Sequence, residues 1–290
     1  MAHVLFIGRT TLDAIYILDR LPEEDTKVFA KEFLLAPGGP ATNAALTSAR
    51  LGSHAHLISA VGDGLWADRI RSVLAAERVE LLDLAAGTGY ETPLTTVWAT
   101  APKRTVVNPP IDRRPVKVLN GGWSQSVPAA WGPVPPVALC DGFYLAETFP
   151  LLTACHAAGT KLVMDGGSWK PGTAELAPLL TAAVVSERFR VPGVQPSPES
   201  IFAYFSQAGV PLIAITRGQR SILASDRGRR FEVSIEPVEG AETLGAGDVL
   251  HGALAHYLSE GLAFEPALTA AAHIASASCH RLGTDFRSAL

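Results

Sequence analysis

Val137-Ala138-Leu139 is followed by Leu151-Leu152-Thr153-Ala154-Cys155-His156-Ala157-Ala158-Gly159 and then by Leu162-Val163-Met164. Two short apolar runs of strand length flank a segment that is apolar at helical spacing, and Gly159 supplies the usual helix stop. The same rhythm extends outward in both directions. Further strands are expected at residues 4–7, 57–61, 183–185 and 212–216, with helices at 43–51, 67–78, 174–180 and 199–208, two of them closed by Gly52 and Gly209. Such alternation predicts an α/β fold: a doubly wound, mainly parallel sheet flanked by helices, its strands buried on both faces. Residues 221–224 and 231–235 read as an antiparallel extension, and helices over 248–259 and 265–281 finish the chain.

Two stretches break the rhythm. Residues 11–35 and 87–107 contain strand-like runs with no following helix, and they suit a small separate sheet of the kind a lid needs; ordinary surface hairpins are the other reading. Residues 108–136, rich in Pro, Gly and Trp, read as a loop. A chain of 290 residues, 48% of them hydrophobic, supports one large domain over 1–290. A net charge of −4 offers no basic field for a polyanion, so nucleic acid is not an expected partner. The three cysteines, Cys140, Cys155 and Cys279, have no CxxC spacing and no His-rich companion segment, so neither a disulfide framework nor a zinc site is expected. The apolar N-terminal run is too short for a leader core or a span, which predicts a cytoplasmic protein without a membrane partner.

Glu242-Thr243-Leu244-Gly245-Ala246-Gly247-Asp248-Val249-Leu250-His251-Gly252-Ala253 is a small-residue turn opening into a helix. Gly245, Ala246 and Gly247 lack bulk, so their N–H groups suit an anion such as a transferring phosphoryl group at the helix N-terminus. Asp248 then stands where a general base would accept the proton of an attacking hydroxyl. A plain helix cap is the alternative for Asp248. Ala36-Pro37-Gly38-Gly39-Pro40-Ala41-Thr42-Asn43 is a second glycine turn entering a helix, permitting close backbone approach to a ligand and offering Asn43 as a two-sided hydrogen-bonding group.

These two motifs, with Arg50-Leu51-Gly52 and Val61-Gly62-Asp63 between them, resemble the two signatures of the ribokinase-like (PfkB) carbohydrate kinases over nearly the whole chain. The phrase from Gly245 to Leu254, with Gly39-Pro40-Ala41 and Met164-Asp165-Gly166, is especially similar to the ketohexokinase and sulfosugar kinase branch. The resemblance implies an ATP-dependent transfer of the γ-phosphoryl group to a hydroxyl of a small, ketose-like sugar. Its cofactors would be ATP and Mg2+, with K+ as an additional candidate.

Residue by residue, the resemblance implies that Asp248 is the base and that residues 245–247 form the anion hole. Asp13, Gly38, Gly39, Asn43, Arg104 and Asn108 would meet the sugar, with 103–108 as the lid strand. Thr216, Gly218, Ser186 and His273 fall where the nucleotide is held. Glu242, standing where family members carry aspartate, lies near the cation. The family's Asn-x-x-Glu falls on Ser186-Glu187-Arg188-Phe189, leaving Glu187 as a substitute, and Asp165 at a strand's carboxyl end is a third metal candidate. Ser221 replaces an expected glycine in the nucleotide loop.

Outside the motifs, Trp98 is the tryptophan best placed as a sugar platform, and Arg104, Arg113 and Arg114 read as a solvated lid edge or as partners of an anionic sugar. Pairing of lid to lid in a homodimer would cover the small sheet's edges. A nucleoside kinase and a catalytically weak sugar-binding protein are the competing functions. A Rossmann dehydrogenase lacks its GxGxxG after the first strand, and a serine hydrolase lacks its GxSxG.

Overall fold

A computed structural model describes residues 2–100, 103–110, 116–238, 243–280 and 284. The first half of the chain forms β1 (His3–Ile7), β2 (Thr11–Ile17), β3 (Glu32–Gly38), α1 (Pro40–Arg50), β4 (His54–Ser59), α2 (Ala67–Ala76), β5 (Val79–Asp83), β6 (Leu94–Thr100) and β7 (Lys103–Val107). There follow α3 (Trp123–Ser126), β8 (Val137–Cys140), α4 (Leu145–Ala157), β9 (Lys161–Gly166), α5 (Thr173–Leu176), β10 (Ala182–Ser186) and α6 (Pro198–Gln207). The chain closes with β11 (Leu212–Arg217), β12 (Arg220–Asp226), β13 (Arg229–Val233), α7 (Ala246–Ser259) and α8 (Phe264–Ser278).

Nine strands form one sheet in the order β13-β12-β11-β10-β9-β8-β1-β4-β5. It is parallel from β11 to β5, while β12 and β13 add antiparallel, as the sequence predicts. From β1 the chain winds outward through β4 and β5; from β8 it winds the other way to β11. The switch point therefore lies between β1 and β8, where an open α/β sheet leaves a crevice at its carboxyl edge. One core layer packs Phe6, Leu57 and Leu139 against Leu46, Leu250 and Leu268, and the opposite layer packs Ile7, Ile58 and Met164 against Leu152 and Phe205.

β5 is an edge strand the alternation does not announce, because Glu80 and Asp83 interrupt its apolar run and only Val79 is buried. Helix α4 starts six residues earlier than its apolar pattern and carries Pro150 inside it. Residues 174–180, expected as one helix, split into α5 and a 3-10 turn at Ala177–Leu179, where Pro178 cannot donate to a helical ladder. Within 108–136, α3 and a 3-10 turn at Ala129–Trp131 bury Trp123 and Trp131, so that segment is not wholly loop.

The breaks in the rhythm form a second, four-stranded sheet in the order β3-β2-β6-β7. Its register pairs Asp13 with Thr95 and Ala36, and Tyr16 with Trp98 and Phe33. Alternation along the strands then puts Asp13, Thr95, Val97 and Arg104 on one side, and Tyr16, Phe33 and Trp98 on the other.

Candidate active site

Helix α7 begins at Gly245, whose φ of 76° marks the end of the small-residue turn. No side-chain bond caps the helix, and Gly245 itself is the N-cap, so Asp248 is not the cap. Instead the Asn43 Nδ2 donates to Asp248 Oδ2 at 2.7 Å. Burial and the nearby Asp165 carboxylate push the half-buried Asp248 up to about 6, against the Asn43 hydrogen bond, His251 and Arg104, which favour its ionised form. Within the turn, the Ala246 N–H donates to Thr243 O at 3.3 Å. A Cβ added at Gly247 meets no protein atom within 4 Å, so the space beside this glycine is open.

Asn43 and Asp248 meet because α1 and α7 touch backbone to backbone. A Cβ at Gly252 would lie 2.3 Å from Ala44 O and 2.8 Å from Thr47 Cβ. Only glycine permits that approach one turn beyond Asp248. His251 anchors the same turn from behind: its Nδ1 lies 2.7 Å from Gly247 O and 3.5 Å from Asp165 Oδ2, and its Nε2 lies 3.0 Å from Val184 O on β10. Asp165, buried at the carboxyl end of β9, thus faces both α7 and Asp248.

The first glycine motif is equally constrained. A Cβ at Gly38 would fall 2.1 Å from Asp13 Oδ2, and one at Gly39 would fall 2.2 Å from Arg9 O. The half-buried Asp13 accepts from Thr11 Oγ1 at 2.6 Å, and burial raises its carboxyl above the usual range. On the same side of the small sheet, Asn108 Oδ1 accepts from Thr95 Oγ1 at 3.0 Å, and Arg104 Nη1 donates to Thr243 Oγ1 at 3.0 Å. The small sheet therefore touches the turn that carries Gly245 and Asp248.

Asp141, at the carboxyl end of β8, went unread in the sequence. Its Oδ2 accepts from Arg9 N at 2.8 Å and Ala41 N at 3.2 Å, and its Oδ1 from Phe143 N at 2.9 Å. A Cβ on Gly8 would collide with this carboxylate at 2.1 Å. Asp141 thus ties the end of β1 to the first turn of α1, across the switch point, and burial pushes it up to about 7. Cys140-Asp141-Gly142 repeats the pattern of Met164-Asp165-Gly166, an acid and a glycine after a buried strand, and that repetition was the available signal.

The remaining candidates are more dispersed. Ser186 ends β10 and Glu187 follows it, beside the β11–β12 hairpin, where Thr216 Oγ1 lies 3.4 Å from Val185 O and Gly218 turns with φ 66°. Glu187 is ion-paired with Arg220 of that hairpin, so its carboxylate is not a free metal ligand. Ser221, in the glycine's place, accepts from Arg217 Nη2 at 2.7 Å. His273 lies on an exposed part of α8, 3.5 Å from Glu236. Trp98 stands on the opposite side of the small sheet from Asp13, which removes it as a sugar platform. Glu242, Arg113 and Arg114 fall outside the described residues.

The pfkB family carbohydrate kinase model matches residues 1–112 and 139–289. The chain belongs to the pfkB family. As a pfkB-family carbohydrate kinase it is 26% identical over 294 residues to the ribokinase of Bacillus subtilis, covering 98% of this chain and 94% of that protein. It is 25% identical over 297 residues to the fructokinase of Salmonella typhimurium, covering 94% and 92% of the two. The structure of Arabidopsis thaliana ribokinase complexed with ribose and ATP superposes on this kinase with a TM-score of 0.75 at 19% identity, over 97% and 93% of the two chains, a likeness of fold. The enzyme class is thus a phosphotransferase with an alcohol acceptor. Among its described residues no helix is long and apolar enough to cross a membrane, and Cys140, Cys155 and Cys279 are buried free thiols.

Proposed function

We propose that this pfkB-family kinase transfers the γ-phosphoryl group of ATP to a hydroxyl of a small, ketose-like sugar, with Asp248 as the general base. The observation that carries this reading is the Asp248 carboxylate, held by Asn43 in the first turn of α7 beside Gly245 and Gly247. The sugar hydroxyl oxygen attacks the γ-phosphorus, the bond to the bridging oxygen breaks, ADP leaves with that electron pair, and Asp248 takes the hydroxyl proton. The helix N-terminus stabilises the charge on the transferring group.

Asp13 and Asn43 bind sugar hydroxyls, with Gly38 and Gly39 allowing the backbone close and Asn108 and Arg104 closing from the small sheet. Ser186, Thr216 and Gly218 line the nucleotide side. Mg2+, when bound, neutralises phosphate charge; the buried Asp165, a hard oxygen donor beside Asp248, fits such an ion. The small sheet acts as the lid, supported by the Arg104–Thr243 contact. Its outer side exposes Tyr16 and Phe33, half-buries Trp98 on the other side of Tyr16, and forms a concavity of about 590 Å³, which suits lid-to-lid pairing in a homodimer. A cytoplasmic setting suits the free thiols. The ketose preference rests on the likeness of residues 245–254 to the ketohexokinase and sulfosugar kinase branch.

ADP release measured against a panel of ketoses, aldoses, sulfosugars and nucleosides tests the reading. Turnover stimulated by a ketose or sulfoketose is expected. Preference for a nucleoside would reassign the acceptor, and no stimulation by any member would leave a sugar-binding protein on a kinase fold.

A further inference from the structure

At the opposite end of the strands from Asp141 and Asp248, three histidines converge. His3 opens β1 and His54 opens β4, and the parallel register pairs them directly. His56 lies two residues along β4, hence on the same face as His54, and in register with Glu80 of β5. Residues 51 apart in sequence thus stand side by side, which no local spacing reveals. One ring nitrogen from each histidine can be chosen so that all lie within 4.8 Å of one another.

The environment of these rings is unusual for histidines that merely pack. His56 is fully buried, yet neither of its ring nitrogens has a hydrogen-bond partner, and His3 Nε2 is a third buried nitrogen without one. Buried polar atoms of this kind are rare and call for an occupant. Trp131 stacks on the His56 ring at 4.3 Å, fixing its plane. His54 Nε2 lies 3.2 Å from Glu80 Oε1, the carboxylate contact that orients a ligating imidazole. Half-exposed His54 gives the cluster an opening to solvent.

We propose that His3, His54 and His56 form a binding site for a divalent transition ion of the zinc class, with Glu80 orienting His54 or serving as fourth ligand. Neutral imidazoles select Zn2+, Co2+ or Ni2+ over Mg2+, which takes oxygen donors. Tetrahedral coordination brings ligand nitrogens to about 3.3 Å apart, so the rings close by rotation of half-exposed His54. The ion joins β1, β4 and β5, and by binding only the folded chain it raises stability. Four residue steps along β1, roughly 13 Å, separate His3 from Ile7 at the carboxyl edge of the sheet where Asp141 stands, so the ion is not the nucleotide's cation.

The test uses the untagged, chelator-treated full-length chain, titrated calorimetrically with ZnCl2 and with MgCl2 in the absence of nucleotide. One equivalent of Zn2+ should bind, Mg2+ should not compete, and His54→Gln should weaken binding at least tenfold while leaving the ion-free melting temperature unchanged. CoCl2 should partly quench tryptophan fluorescence through Trp131, and the variant should abolish that quenching. Absence of saturable Zn2+ binding, or binding and quenching unaltered by His54→Gln, overturns the proposal whatever the outcome of the sugar screen.

Discussion

Asn43 on α1 donates to Asp248 on α7 at 2.7 Å, joining the two glycine motifs across 205 residues of chain. The contact does two things at once: it fixes the carboxylate and holds down the pKa that burial raises. With Asp248 near 6, the base is protonated at acid pH and ionised at neutral pH. The rate kcat/KM should therefore fall as pH drops through about 6. Asn43→Ala removes a stabiliser of the anion and should move that limb to higher pH; Asp165→Asn removes a like charge and should move it lower. A limb unmoved by both variants would show that another group limits the rate.

Gly252 decides whether that contact can form. Gly252→Ala drives a methyl into Ala44 O, and overpacking of this kind costs about 1–3 kcal/mol. A lower denaturation midpoint and a fall in kcat should appear together, because parting α1 from α7 separates Asn43 from Asp248. Unchanged stability would mean that the helices absorb the methyl.

Gly38→Ala should displace Asp13 without touching Asp248. Since charge-assisted hydrogen bonds contribute roughly 1.5–3 kcal/mol, the sugar KM should rise about tenfold to a hundredfold, as with Asp13→Ala, while ATP affinity changes little. Equal losses in both affinities would place Asp13 elsewhere than in the sugar site.

Amide exchange reports on the small sheet. Sugar should protect residues 11–17, 32–38 and 94–107 together, and Arg104→Ala should reduce that protection by removing the contact to Thr243. Protection confined to the ends of β1 and β4 would show that the small sheet does not close over the sugar.

Much of this arrangement is legible in the sequence, and the illegible parts share a cause. The parallel core, the antiparallel extension and the two glycine turns follow from local periodicity and local residue size. Asp141, Gly252 and the cluster of His3, His54 and His56 do not, because each acquires meaning from a distant neighbour: Gly8 for Asp141, Ala44 for Gly252, a strand register for the histidines. Trp98 illustrates the converse. Its strand was legible, but the side it faces was set by pairing with Tyr16.

The kinase reading rests on Asp248 acting as the base, and the turnover of Asp248→Asn at saturating sugar and ATP probes it most directly. The amide keeps the shape and the contact with Asn43 but cannot take the proton. A loss in kcat of roughly 10²–10⁴ fold, with sugar affinity and melting temperature retained, is expected. Turnover within about threefold of the unaltered enzyme would contradict the assignment, since general-base assistance is worth far more than that.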